Sequence, residues 1–172
     1  MANNIWSRAT LHMRLLAFPA VALIPAACVA ENCPWLNAAT ASGLIGADAT
    51  AVYTAAASDK PAVCTFTEAN AHMPRVLEIR VEITPDPRAR LTALDASCTG
   101  AASPLTAIGN EAIACSADEH KDKPAERVIG RVRNQVFTIT LTSNGKQDSV
   151  LDRDELKMRI STAAEQVSGN LF

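Results

Sequence analysis

Residues 14–30 have the layout of an export segment. This layout constrains the fold because it decides how many cysteines the folded part keeps. Arg14 is followed by the apolar run Leu15 to Ile24, then by Pro25 and the small-residue stretch Ala26-Ala27-Cys28-Val29-Ala30. A charged start, a short apolar middle and a small-x-small end are the marks of a signal peptide. At roughly 10–14 residues the apolar run falls short of the ~20 that span a bilayer as a helix. Cutting after Ala30 satisfies the small-x-Ala pattern with Cys28 and Ala30. It leaves Cys33, Cys64, Cys98 and Cys115. An even number of cysteines in an exported domain reads as a disulfide framework, with three pairings open to four cysteines. The sequential one, Cys33–Cys64 with Cys98–Cys115, is favoured. It closes loops of roughly 30 and 16 residues, each contributing about 3 kcal/mol in the loop-entropy model.

Two alternatives stay open in the leader. Met13 offers a second start, from which the signal reads more regularly. Cys28 has a rival role. Pro25-Ala26-Ala27-Cys28 places two small residues before a cysteine, as in a lipoprotein signal, but with Pro where Leu is usual. An acylated Cys28 would tie the protein to a membrane by lipid. Otherwise Cys28 leaves with the segment.

The expected organisation is therefore a signal peptide over 1–30 and a single exported domain over 31–172. That length suits one domain burying roughly two-thirds of its unfolded surface. Aromatic residues make up only 4 % of the chain, so the core is built of small aliphatic groups and gains less from burial per residue. The whole chain carries a formal charge of −2. Removing Arg8 and Arg14 leaves 14 basic and 18 acidic residues, a net of −4. That balance argues against nucleic acid or an anionic membrane surface as partner, since phosphate binding needs a basic face.

The pattern along the chain predicts α+β architecture. A helix is expected from Cys33 to about Gly46, with Pro34 in its first turn and Trp35, Leu36, Ala39 and Leu44 facing inward. Thr50–Ala56 and Ala62–Thr67 read as strands. Arg75–Thr84 alternates cleanly, with Leu77, Ile79, Val81 and Ile83 on one face and Glu78, Arg80 and Glu82 on the other, which implies a sheet with one buried face. Asp86-Pro87 opens a second helix carrying Leu91, Leu94 and Cys98. Residues 99–104 read as a loop, Glu111–Ser116 as a strand and 118–124 as a solvated loop. Arg127–Arg133 and Val136–Leu141 read as a hairpin around Asn134. A last helix is expected from about Val150 to Val167, with Asp152, Asp154 and Glu155 in its first turn and Gly169-Asn170 stopping it. An antiparallel sheet with helices packed on it follows.

Three short motifs carry a likeness: the Cys33-Pro34-Trp35-Leu36 segment, the Cys64-Thr65-Phe66 strand and the Ile108-Gly109-Asn110-Glu111-Ala112 turn. Together they resemble small bacterial secreted or lipid-anchored proteins of unknown function. That group is similar to the extracellular sensor domains of bacterial membrane Ser/Thr kinases. The resemblance implies an α/β sandwich of the PsbP and Mog1 type and an extracytoplasmic location, and it implies no catalytic residues.

Candidate chemistry is sparse. His72 and His120 are the histidines beyond the leader, with no paired spacing and no His-Glu-x-x-His, so a histidine zinc site has no support. Gly-x-Ser-x-Gly and the phosphate-binding Gly-x-x-x-x-Gly-Lys loop do not occur. Asp152, Asp154 and Glu155 match helix capping, not a calcium loop. Glu111, after Gly109-Asn110, reads as either a ligand contact or a loop anchor. Arg131 and Arg133 read as sharing one strand face. With Arg80 they would form a cationic patch for an anionic ligand, although interleaved Glu78 and Glu82 favour an ion-pair ladder. The candidate ligand contacts are thus Asn110, Glu111, Arg131 and Arg133, with no catalytic group, metal or cofactor expected. The expected function is a periplasmic or secreted binding or sensor-like domain that takes a small molecule or an envelope protein. A structural or interaction protein of the envelope is the alternative, and a small enzyme comes last.

Overall fold

A computed structural model describes residues 32–58, 60–117 and 122–172. Residues 1–31, which include Cys28, and His120 lie outside these residues. The alternating segments become strands of one antiparallel sheet: β1 Ala49–Thr54, β2 Ala62–Glu68, β3 Val76–Ile83, β4 Ser103–Leu105, β5 Glu111–Ser116, β6 Ala125–Val132 and β7 Gln135–Thr142. Their order across the sheet is β1-β2-β3-β7-β6-β5-β4. The helices are α1 Ala38–Ile45, α2 Pro87–Asp95 and α3 Arg153–Asn170. The α+β expectation holds, and so does the disulfide pairing. Cys33 bonds Cys64, and Cys98 bonds Cys115.

Register sorts the side chains onto two faces. Cys64 lies opposite Ile79, Ile79 opposite Ile139, and Ile139 opposite Val128. Phe66, Leu77 and Leu141 form the next row. All are buried in the core, where α1 and α3 cover them. From α3 the core takes Leu156, Ile160, Ala163, Ala164 and Val167, the stripe expected at three- and four-residue spacing. Gly130, opposite Phe137, has no room for a side chain: a Cβ there would sit 2.4 Å from the Phe137 ring. The ring takes the place a side chain would fill.

Several boundaries differ from the sequence reading, each for a local reason. The first helix begins at Ala38, not Cys33, because Asn37 caps it and accepts the Thr40 N–H at 2.8 Å. Ala39 is consequently exposed, and Ala41 and Ile45 face the core. Ile83 is 75 % exposed although it continues the apolar side of β3. It ends the strand opposite Gln135, at the margin of the sheet. Cys98 lies past the end of α2, of which only Leu91 is buried. The expected loop before residue 105 contains the short strand β4, whose edge position tolerates Pro104. Asp152 is the N-cap of α3, not a residue of its first turn, and accepts the Asp154 and Glu155 N–H groups. The helix passes through Gly169 and ends at Asn170, with Leu171 as its C-cap.

Candidate functional site

The second face of the sheet is covered only in part. Asp86 accepts the Ala89 N–H at 3.0 Å, and Pro87 starts α2. Leu91 buries the helix against the sheet, and Cys98–Cys115 ties the following turn to β5. Beside α2 a cleft of about 570 Å³ runs over β3, β7 and β6. Its floor includes Val76, Thr138, Thr140 and Thr142, and its rim includes Arg90, Arg127 and Lys123. The volume falls inside the range of roughly 300–1,000 Å³ usual for ligand pockets.

The cleft mixes apolar and charged side chains, and its charges are organised. Arg80 donates to Glu78 at 2.6 Å along β3. Arg90 of α2 donates to Glu82 and closes one end of the cleft. Arg127 donates to the Thr140 hydroxyl at 3.2 Å and to Ser97 at 3.1 Å. Threonine hydroxyls both donate and accept hydrogen bonds. Glu78 and Glu82 are held by Arg80 and Arg90, and with Arg127 and Lys123 the lining carries two acids against four bases, a net positive charge suited to a polar ligand with anionic groups.

The residues singled out in the sequence gather elsewhere. Glu111 lies opposite Arg131, whose Nε donates to it at 3.0 Å, and Arg88 approaches the same carboxylate at 3.9 Å. Asn110 N–H donates to the Arg131 carbonyl at 2.8 Å, and its side chain accepts the Arg133 N–H at 2.6 Å. Gly109 has φ +59°, and a Cβ there would meet the Arg131 carbonyl at 2.5 Å. The Gly-Asn-Glu turn is thus clasped to the β6–β7 hairpin, and Ile108 is buried beneath it. Arg133 does not share a strand face with Arg131. It occupies the hairpin turn with φ 55°, and its guanidinium lies 5.9 Å from the Phe172 ring centre. None of Asn110, Glu111, Arg131 and Arg133 lines the cleft, whereas Arg80, Glu78 and Glu82 do. His72 is exposed. Among the described residues no three His, Cys, Asp or Glu side chains group as a metal site.

A buried charge cluster was not foreseen from the sequence. Arg75, just before β3, donates through Nε and a terminal nitrogen to both oxygens of Asp148, at 2.7 and 2.9 Å. It also reaches Glu68 at 3.2 Å. Burial by itself pushes the Asp148 carboxyl upward. The Arg75 hydrogen bonds and the N–H groups of Leu151, Val150 and Asn144 outweigh it and hold the carboxyl well below the usual range. Arg75 and Asp148 are 73 residues apart in the chain, so no local spacing announces the pair.

The two disulfides point to an oxidising compartment. Among the described residues no helix is long and apolar enough to cross a membrane. Comparison with protein-family models, with curated proteins and with solved structures found no match.

Proposed function

We propose that the protein is an exported, non-enzymatic binding or sensor-like module that takes a polar small molecule on the half-open face of its sheet. The observation that carries this reading is the cleft beside α2, with a threonine floor and paired charges on a disulfide-held frame. The likeness of its short motifs to bacterial sensor domains of the PsbP and Mog1 type supports the same reading. Export rests on the leader and is supported by the disulfides. N-terminal sequencing of the processed protein is expected to begin at Glu31. An acylated Cys28 would instead make it a lipid-anchored protein.

The test is a thermal-shift screen of charged and hydroxylated metabolites on the wild type and on Thr138→Trp, which fills the cleft floor. A binder should raise the wild-type midpoint by several degrees and lose that effect in the variant. A shift that survives Thr138→Trp removes the cleft from the reading. An enzymatic activity lost in Glu111→Gln would overturn the binding module altogether. A second reading, a protein-interaction module of the envelope, is favoured by Ile83. This residue stands exposed beside a smaller groove of about 430 Å³ that includes Trp35, Pro61 and Val81.

A further inference from the structure

One edge of the sheet is bare among the described residues. β1 pairs with β2 on one side and with no described strand on the other. Its six residues, Ala-Thr-Ala-Val-Tyr-Thr, contain no charge and no proline. Sheet edges are ordinarily blunted by such residues, because an unpaired row of N–H and C=O groups templates another strand. The opposite edge, β4, is three residues long and holds Pro104.

The hydrogen-bond phase of β1 can be read off. Ala69 N–H donates to the Asp48 carbonyl at 2.8 Å. This extends the register in which Ala49 lies opposite Glu68. In an antiparallel ladder, alternate residues turn both backbone groups toward the same neighbour. Asp48, Thr50, Val52 and Thr54 therefore face β2, and Ala49, Ala51 and Tyr53 face outward. The Ala49 N–H agrees with this phase, for it donates outward to the Ser42 hydroxyl at 3.0 Å. The outward groups of Ala51 and Tyr53 are left to bond another strand.

We infer that β1 pairs with β1 of a second copy of this chain, antiparallel about a two-fold axis through Val52. Such an axis makes the contact isologous, the commonest route to a closed dimer. It sets Ala51 of each copy opposite Tyr53 of the other, and each such pair exchanges both N–H···O=C bonds. Thr50 then lies opposite Thr54, and Val52 opposite itself on the half-open face, where it is 49 % exposed. Threonine pairs and β-branched pairs at opposed positions stabilise a ladder. A two-fold through Ala51 would instead oppose Tyr53 to Ala49. Because Ser42 already takes the Ala49 N–H, that register orphans the Tyr53 carbonyl in both copies. In the Val52 register Asp48 falls beyond Tyr53 of the second copy, opposite Ala56, so the two Asp48 carboxylates stand at opposite ends of the contact.

Sedimentation equilibrium of the full chain, carrying Cys28→Ser to remove a competing thiol, tests the inference. An edge contact is small, so a dimer is expected at protein concentrations on the order of 100 μM. Ala51→Pro deletes an outward N–H on an edge strand, where proline is tolerated. Val52→Lys places two cations against each other. Each variant should sediment as a monomer at that concentration with an unchanged circular dichroism spectrum. In a Val52→Cys variant the opposed Cα atoms would lie about 4.5 Å apart, close enough for a disulfide, so mild oxidation should cross-link it. Thr50→Cys should stay uncross-linked. A wild type that stays monomeric to about 1 mM, including one that pairs only with a different extended peptide, overturns the inference. So does a dimer untouched by both Ala51→Pro and Val52→Lys, or cross-linking of Thr50→Cys in place of Val52→Cys.

Discussion

The same strands present two unlike faces. On one, Phe66, Leu77, Ile79, Phe137, Ile139 and Leu141 are wholly buried under α1 and α3. On the other, their immediate neighbours Glu78, Arg80, Thr138 and Thr140 line an open cleft beside one short helix. Each face has its own disulfide. Cys64 stands in the row with Ile79, and Cys115 in the row with Arg127 and Thr140. The difference teaches how a small domain keeps the packing that stabilises it apart from a face that is left open. A two-residue period lets one strand give alternate side chains to a core and to a site. The open face is then free to be polar because it is not asked to hold the fold.

The largest break in that comparison should come from the closed face. Phe66→Ala is expected to cost about 4 kcal/mol in urea unfolding. A cost near zero would mean that the closed face does not carry the stability. The disulfides come next. Replacing both Cys33 and Cys64 by Ala should cost about 3.7 kcal/mol, and replacing both Cys98 and Cys115 about 3.1 kcal/mol, because their sequence separations are 31 and 17. The second pair should also loosen the cleft, seen as faster amide exchange in α2, whereas the first should not.

The buried ion pair at the end of the closed face should follow. Asp148→Asn leaves Arg75 with Glu68 alone and is expected to cost about 3 kcal/mol at neutral pH. The folded Asp148 carboxyl titrates below its unfolded counterpart. Its contribution is therefore complete above the unfolded value near ~3.9 and is lost as pH falls below it toward the folded value. Acid unfolding of the wild type should show this loss, and Asp148→Asn should flatten it between about pH 4 and 2. An unchanged acid limb would remove Asp148 from the linkage. The smallest effect belongs to the half-open face, where Thr138→Ala should change stability by less than about 0.5 kcal/mol. A larger cost would make that floor part of the core.

Periodicity and capping made most of the architecture legible. Leu77-Glu78-Ile79-Arg80-Val81 alternates as only a half-buried strand does, and Asp86-Pro87 stands where α2 starts. The motif-based site was less legible. Asn110 and Glu111 were visible as a Gly-Asn-Glu turn, but the hydrogen bonds that occupy them come from Arg131 at the end of the next strand and Arg133 in the turn after it. The cleft was half visible, through Arg80 and its flanking acids. Arg90 and Arg127 reach it from elements whose packing the alternation of β3 does not encode.

The chain by itself settled the strand periods and the start of α2, because these depend on neighbours within a few residues. Tertiary structure alone decided that Arg75 meets Asp148 across 73 residues, that Phe137 lies over Gly130 and that α2 leaves half a face open. It decided these because they follow from strand order and from which face each helix covers, and no local spacing records either.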